Sequence, residues 1–246
     1  MACIVSEWQQ QTEMLVSVIA DLLAGCRHVA VGAQSPVPGT AALLARHESG
    51  GALRVSVLDT ERHSSFTNGA CELFDCAAEG RIDAFFLSGG QIDGQANINL
   101  VGAGPYPAAD VRWPGSFGSA FLYFLVPRVI LFREEHSPRV FVEKVDFISA
   151  PGTSPPGVYR PGGPHALVTP LGLFHFDRAR ARFRLASVHP GHTVEEIVAQ
   201  TGFDFDREPA PAATPAPAES RRAFMRDVVR DEVAGIYPRF AARFLE

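Results

Sequence analysis

Apolar positions recur along this chain with two periods, and the change of period marks out the elements. Trp8, Leu15, Val18, Ile19 and Leu22 fall at helical spacing. Ser6 and Gln9 ahead of them form a capping-box pattern, and Gly25 follows as a stop. Short apolar runs come next. His28–Val31, ended by Gly32, reads as a buried strand, as do Arg54–Leu58, Asp83–Leu87 and a stretch within Val126–Phe132. Arg139–Ile148 reads as a fifth, mixed strand. Between the first two strands, Ser35–Gly39 is expected as a loop. Thr40 is expected to cap a second helix running through Leu44 toward His47 and ended by Gly50-Gly51. Farther on, Ala166–Phe176 reads as a hairpin around Pro170-Leu-Gly172, and Arg182–Val188 as another strand. Thr193 with Glu196 repeats the capping-box pattern and opens a helix through Gln200, closed by Gly202.

Strand, loop, helix, strand is the rhythm of an α/β fold: an open, mainly parallel sheet with helices on both faces. In such sheets ligands sit beyond the carboxyl ends of the strands. The expected layout is an α/β domain over residues 1–206, a Pro/Ala-rich spacer over 207–218 and a C-terminal amphipathic helix over 219–246. Phe224, Val228, Val229, Val233, Ile236, Phe240 and Phe244 form that helix's apolar face, with an interruption expected at Pro238. It docks on its own sheet or on a partner. Ala150–Pro164, rich in Gly and Pro, reads as a long loop.

Composition narrows the picture. With 246 residues, 46% of them hydrophobic and 20% charged, the chain can bury a core without disulfide or metal staples. Its 22 basic and 27 acidic residues give a net charge of −5, which offers no footprint for nucleic acid. Cys3, Cys26, Cys71 and Cys76 have no zinc or redox spacing and are expected as reduced, buried thiols of a cytoplasmic protein. No basic region followed by an apolar run opens the sequence, and no stretch has 18 uninterrupted apolar residues, so neither a signal peptide nor a membrane span is expected.

Three stretches carry candidate chemistry. In Ser88-Gly-Gly-Gln-Ile-Asp93 and its continuation to Asn99, Gly89 and Gly90 let backbone N–H groups approach a ligand, while Gln91, Asp93, Asn97 and Asn99 alternate as if along one edge of a cleft. A turn that needs only positive φ angles is the competing reading. Trp113-Pro-Gly-Ser-Phe-Gly-Ser119, with Gly115, Ser116 and Gly118, is either an anion nest or a plain turn; it matches neither a phosphate-loop nor a dinucleotide pattern. Asp59-Thr-Glu61-Arg-His63 places carboxylates just past a strand, as nucleophile or acid–base candidates or as an exposed charged turn. His189-Pro-Gly-His192 lacks companions of metal-ligand geometry and reads as loop packing. No Gly-x-Ser-x-Gly elbow exists. Glu143-Lys144-Val-Asp146 is expected to form ion pairs within the sheet.

Taken in order, these motifs resemble the β subunit of class I CoA-transferases, with glutaconate CoA-transferase nearest. The likeness runs through Ser88–Asn99, Pro114–Gly118, Val140–Gly152, Val168–Asp177 and Ser187–Glu196, and covers about residues 6–206. The resemblance implies an acyl-CoA substrate, no metal, and an α subunit of the same fold with the active site at the interface. It also implies a glutamate, in a Glu-Ser-Gly or Glu-Asn-Gly motif, that attacks the thioester to form an anhydride and then a glutamyl-CoA thioester. Gly89-Gly90-Gln91 and Gly115–Gly118 fit the donors that steady the oxyanion. The chain departs from this pattern after Arg54–Leu58, where Asp59 stands at the nucleophile register and Glu61 two residues on. Three readings follow. The first is a transferase subunit using Asp59 or Glu61. The second is similar to the β subunits of steroid-ring-opening CoA hydrolases, whose catalytic carboxylate comes from the α subunit; here Phe66, Phe117, Phe121 and Tyr123 would line the acyl pocket. The third is a non-catalytic stabilising subunit.

Overall fold

The computed structural model describes residues 6–60 and 63–244. The helices, in chain order, are α1 (Glu7–Leu22), α2 (Pro36–Glu48), α3 (Gly69–Ala78), α4 (Ser119–Leu125), α5 (Val194–Gln200), α6 (Glu219–Phe224), α7 (Arg230–Ile236) and α8 (Pro238–Phe244). The strands are β1 (His28–Val31), β2 (Arg54–Val57), β3 (Ala84–Leu87), β4 (Gln91–Ile92), β5 (Ile98–Asn99), β6 (Gly102–Ala103), β7 (Val111–Arg112), β8 (Arg128–Phe132), β9 (Pro164–Val168), β10 (Gly172–Asp177), β11 (Arg182–Val188) and β12 (Asp206–Ala213). They fall into two compact units, residues 1–72 with 215–246, and residues 73–214. The division does not follow the expected boundary at residue 206.

In the first unit the Ser6 capping box forms in both directions: Gln9 N–H donates to Ser6 Oγ at 3.2 Å and Ser6 N–H to Gln9 Oε1 at 2.8 Å. The buried run Met14–Ala20 of α1 packs on α2. That second helix starts four residues before Thr40, at Pro36. Pro36 and Pro38 look like loop residues, but in a first turn their missing N–H groups have no intrahelical partner to lose. Thr40 sits inside the helix, with Oγ1 donating to the Pro36 carbonyl at 2.8 Å. β1 and β2 pair in parallel, from His28 opposite Arg54 to Val31 opposite Val57.

The terminal segment is helical with a break before Pro238 and a π-helical turn over Met225–Val229, but Val228, expected on its apolar face, is exposed. Its partners are α2 and α1. Met225, Val229, Val233, Tyr237 and Phe244 are buried. Arg221 grips Glu48 through two bonds of 2.8 Å, and Arg226 reaches Glu13 at 3.0 Å.

In the second unit six strands run in the order β3-β8-β9-β10-β11-β12. The pairs β3–β8, β8–β9 and β11–β12 are parallel, while β9–β10 and β10–β11 are antiparallel. The mainly parallel α/β arrangement is therefore as expected, with the hairpin at Pro170–Gly172 as its antiparallel insertion. Two short hairpins, β4–β5 and β6–β7, branch from it.

Four expectations fail here. Residues 207–213 form most of an edge strand, not a spacer: Asp206 and Arg207 pair with Arg184 and Leu185, and Ala212 and Ala213 with Ser187 and Val188. The shift between these two registers takes up the intervening residues, Pro209 and Pro211 among them, where a proline costs no ladder bond. Arg139–Ile148 is not a strand. It contributes one bridge, Phe141 to Ile92, and buries only Val140, Phe141 and Val145. Glu143, Lys144 and Asp146 are accordingly exposed, not paired within a sheet. Of the cysteines only Cys76 is buried; Cys26 is half-buried, Cys71 is exposed, and Cys3 lies outside the described residues.

Candidate active site

β3 reads Ala-Phe-Phe-Leu, is buried along its length and delivers the chain to Ser88-Gly89-Gly90 at its carboxyl end. Neither glycine adopts a positive φ, so the need for glycine here is close approach and not turn conformation. A Cβ on Gly89 would lie 2.6 Å from Ile98 Cγ2 and 2.8 Å from the Gln91 carbonyl oxygen. On Gly90 it would overlap the indole ring of Trp113. Trp113 directly precedes Pro114–Gly118. Gly90 therefore packs on the tryptophan that stands two residues ahead of Gly115 in the sequence.

The four alternating polar side chains are held inside the loop. Asp93 Oδ1 accepts from the N–H groups of Gln95 and Asn97, both at 3.0 Å, and its Oδ2 from Asn97 Nδ2 at 3.0 Å. Asn97 Oδ1 accepts the Gly152 N–H at 3.1 Å. Gln91 Nε2 donates to Asp146 Oδ2 at 2.9 Å, while its Oε1 accepts from Asn99 Nδ2 at 2.8 Å and from the Asp146 N–H at 3.0 Å. Asn99 Nδ2 also donates to the Gly102 carbonyl at 2.7 Å. Gln91, Asp93, Asn97 and Asn99 are all buried. They fix the β4–β5 hairpin against the segment 146–152, and Asp93 and Asn97, with the exposed Gln95, also line a surface cleft. Alternation in the sequence shows that the four share a side, but not that the side faces inward.

The second glycine corner, Gly115–Gly118, is open. Gly115 has φ of +107° and no atom within 4 Å of where its Cβ would be. Ser116 O accepts the Ser119 N–H at 2.8 Å, closing the turn into α4. Phe117 is held at φ of +44°, an uncommon conformation for a non-glycine residue, and is 79% exposed. Gly118 lets Phe74 pack against the start of α4, since a Cβ there would overlap that ring. Phe74 lies 5.7 Å from Phe117 and 5.5 Å from Phe121, ring centre to ring centre. Of the four residues expected as apolar lining, only Phe117 and Phe121 face solvent. Tyr123 is fully buried, with its hydroxyl donating to Ala96 O at 2.9 Å, and Phe66 is buried beside His28.

In the first unit Asp59 follows β2 by two residues, is exposed, and has φ of +59°. Aspartate tolerates that left-handed conformation better than most residues. Thr60 Oγ1 donates to Val57 O at 2.9 Å, and Val57 N–H donates to His63 O at 3.0 Å. Glu61 lies outside the described residues.

His189 and His192 hold local structure. His189 Nδ1 pairs with Thr214 Oγ1 at 2.8 Å, and His192 Nδ1 with Glu196 Oε2 at 3.0 Å. Glu196 N–H donates to Thr193 Oγ1, so the cap forms in one direction while the carboxylate serves His192. Burial pushes the pKa of His136, His165 and His189 down to about 4. Among the described residues no group of three His, Cys, Asp or Glu side chains is arranged to hold a metal ion, and no helix is long and apolar enough to cross a membrane.

The family model for coenzyme A transferase matches residues 14–200, and the chain belongs to that family. It is similar to the β subunit of glutaconate CoA-transferase of Acidaminococcus fermentans, 33% identical over 128 residues that cover 49% of this chain and 47% of that one. It is also similar to the cholesterol ring-cleaving hydrolase IpdB subunit of Rhodococcus jostii, 28% identical over 162 residues covering 64% and 63% of the two chains. The match thus spans about half to just under two thirds of these relatives' length. The crystal structure of glutaconate CoA-transferase from Acidaminococcus fermentans shares the fold, with a TM-score of 0.79, 23% identity, and 96% and 97% of the two chains covered.

Proposed function

We propose that this chain is the β subunit of a CoA-transferase-like enzyme that moves CoA between an acyl-CoA and a carboxylic acid, working with an α subunit of the same family. The observation that carries this reading is the family match over residues 14–200, with Gly89-Gly90 in close packing at the carboxyl end of β3 in support. In the proposed reaction Asp59, or Glu61, attacks the thioester carbonyl. CoA thiolate leaves and a mixed anhydride forms. The thiolate then attacks the enzyme's own acyl carbon, which releases the substrate's acid and leaves CoA on the carboxyl group. An acceptor carboxylate reverses the two steps on a new acyl group. Gln91, Asp93, Asn97 and Asn99 hold the first corner in place, and Ser116 closes the second.

A second reading has its own support. The Glu-x-Gly pattern is missing after β2, and the IpdB relative is a hydrolase subunit. On that reading the α subunit supplies the carboxylate and water takes the acyl group. Phe117 and Phe121 then present an apolar surface to a large acyl group.

The test is to co-express the chain with an α partner and supply acyl-CoA with and without an acceptor acid. Acceptor-dependent appearance of a new acyl-CoA supports transfer. Release of free CoA without an acceptor supports hydrolysis. A purified pair that leaves every CoA ester unchanged defeats both.

A further inference from the structure

Positive charge gathers at the rim of the second unit's sheet that lies opposite Ser88. β3 and β8 run parallel, from Ala84 opposite Arg128 to Leu87 opposite Leu131, so Arg128 marks the amino end and the glycine loop the carboxyl end. On β10, His175 lies opposite Ala166 of β9 and Arg184 of β11. Directly opposed residues of an antiparallel pair share a face of the sheet, so His175 and Arg184 stand on one face. His165 falls where the β8–β9 register shifts, Val129 pairing with Pro164 and Ile130 with Ala166, and its ring centre lies 6.0 Å from that of His175. Arg178 reaches the same end of β9, donating to the carbonyls of Pro127 at 2.6 Å and Gly163 at 3.2 Å.

The acids of the neighbouring strands are engaged elsewhere. Asp177 Oδ1 accepts the N–H groups of Ala179 and Arg180, at 2.9 and 3.1 Å. Asp206, opposite Arg184 in the β11–β12 register, is shared between Arg180 and Arg182. Asp83 stands next to Arg128, its carbonyl accepting the Arg128 N–H at 3.2 Å. Arg178 is bonded to carbonyl oxygens alone, which leave its charge in place. Arg184 is exposed and makes no hydrogen bond or ion pair among the described residues. Burial first, and then nearby positive charge, holds the pKa of His165 down to about 4 and that of His175 below its ordinary value. Those charges are Arg128 and Arg178 at His165, and Arg184 at His175; no carboxylate acts on either ring. Both imidazoles are half-buried and make no hydrogen bond among the described residues, and their nitrogens are open to solvent.

We propose that His165, His175, Arg178 and Arg184 form an oxyanion site on this rim, taking a phosphate group or a carboxylate. Arg184 and the two neutral imidazoles supply open donors, and Arg178 supplies fixed charge. Bonds from a guanidinium to an ionised oxygen are the stronger kind, and the anion provides the counter-charge that the strands withhold. Its source is a free phosphate ester or a carboxylate side chain of a partner subunit. The site lies at the other end of the strands from the glycine loop and stands independently of the proposed nucleophile.

The experiment titrates the full chain with inorganic phosphate at pH 7 and fixed ionic strength, with chloride as the control, and follows the histidine ring signals by NMR. The site predicts saturable shifts at His165 and His175. It predicts a His165 titration midpoint that moves up from about 4 when phosphate is bound, because a nearby anion favours the charged ring. Arg184→Gln, at an exposed position that spares the core, is expected to weaken phosphate binding by about tenfold or more. The titration is then repeated on the chain assembled with an α subunit. Phosphate bound equally well there assigns the site to a free ligand. Phosphate excluded there, with assembly weakened by Arg184→Gln, assigns it to a partner's carboxylate. Shifts that rise without saturation, or that chloride reproduces, overturn the site. Saturable binding that Arg184→Gln and His175→Gln both leave unchanged places the phosphate elsewhere and also overturns it.

Discussion

On the proposed reading, Gly90 and Asp59 matter in two different ways. Gly90 matters for what it lacks. Gly90→Ala drives a methyl group into the Trp113 ring, an overpacking that costs about 1–3 kcal/mol in a tight core. On the proposed reading it also shifts the Gly89-Gly90 backbone, so the expected result is a loss of about tenfold to a hundredfold in kcat, with a smaller change in thermal midpoint, measured by steady-state kinetics and calorimetry on the same preparation. Full activity would show that this backbone need not be held in place. Asp59 matters for where its backbone holds it. The glycine pairs were legible from sequence because two adjacent glycines after a strand are rare without a reason. Their reason was not, because close approach to an indole about 23 residues away leaves no local signal. The inward turn of Gln91, Asp93, Asn97 and Asn99 was hidden for the same cause: their partners, Asp146, Gly102 and Gly152, are distant in sequence or carry no side chain.

At the scale of elements, the patterns that predicted correctly carried local chemistry. The cap of α1, the short strands and the hairpin at Pro170–Gly172 are written in neighbouring residues. Where local and tertiary signals disagree, the structure follows packing. α2 begins on prolines because its buried face, Val37 to Ala45, needs the extra turn. α3 carries no N-capping signal, since it opens on Gly69 at φ of +54° with the Glu72 carboxylate accepting from Thr67 and Asn68. Val140, Phe141 and Val145 mimic a strand but anchor an irregular segment. Gly39 offers a test of packing between elements. A Cβ there would lie 2.6 Å from the Tyr237 ring, joining α2 to the end of α7. Gly39→Ala is expected to destabilise the protein by about 1–2 kcal/mol despite its better helix propensity. In a Tyr237→Ala background the same change is expected to stabilise by about 0.5–1 kcal/mol. Chemical denaturation of the four proteins reads out the sign. Destabilisation in both backgrounds would separate Gly39 from Tyr237.

For the whole molecule, three histidines of the second unit, one buried and two half-buried, set the acid side of stability. His136 bridges Thr169 and Thr201 at 2.8 and 2.9 Å, and His189 meets Thr214; each is held neutral by burial, with a pKa near 4, as is His165. An unfolded histidine titrates near 6.5. Between those values the unfolded chain binds more protons than the folded one, so stability is full above about pH 6.5 and falls as pH drops toward 4, by at most about 1.4 kcal/mol per pH unit for each group. Denaturation series from pH 7 to pH 4.5 should show that slope, and His136→Gln should flatten it. A slope of the opposite sign would mean that these rings are charged in the fold. Among the described residues, the same unit carries eight of the nine large hydrophobic side chains that stand exposed, Phe117 and Tyr159 among them. An α subunit or an acyl chain is the proposed cover for part of that surface.

The central claim is that a carboxylate of this chain exchanges thioester chemistry with CoA. The most direct measurement is peptide mass spectrometry of the assembled enzyme after acyl-CoA and hydroxylamine. The account predicts a hydroxamate on the peptide spanning Asp59 and Glu61, absent without acyl-CoA and absent in the Asp59→Asn, Glu61→Gln double variant. An unmodified peptide from a fully active enzyme would contradict it and would place the attacking carboxylate on the partner subunit.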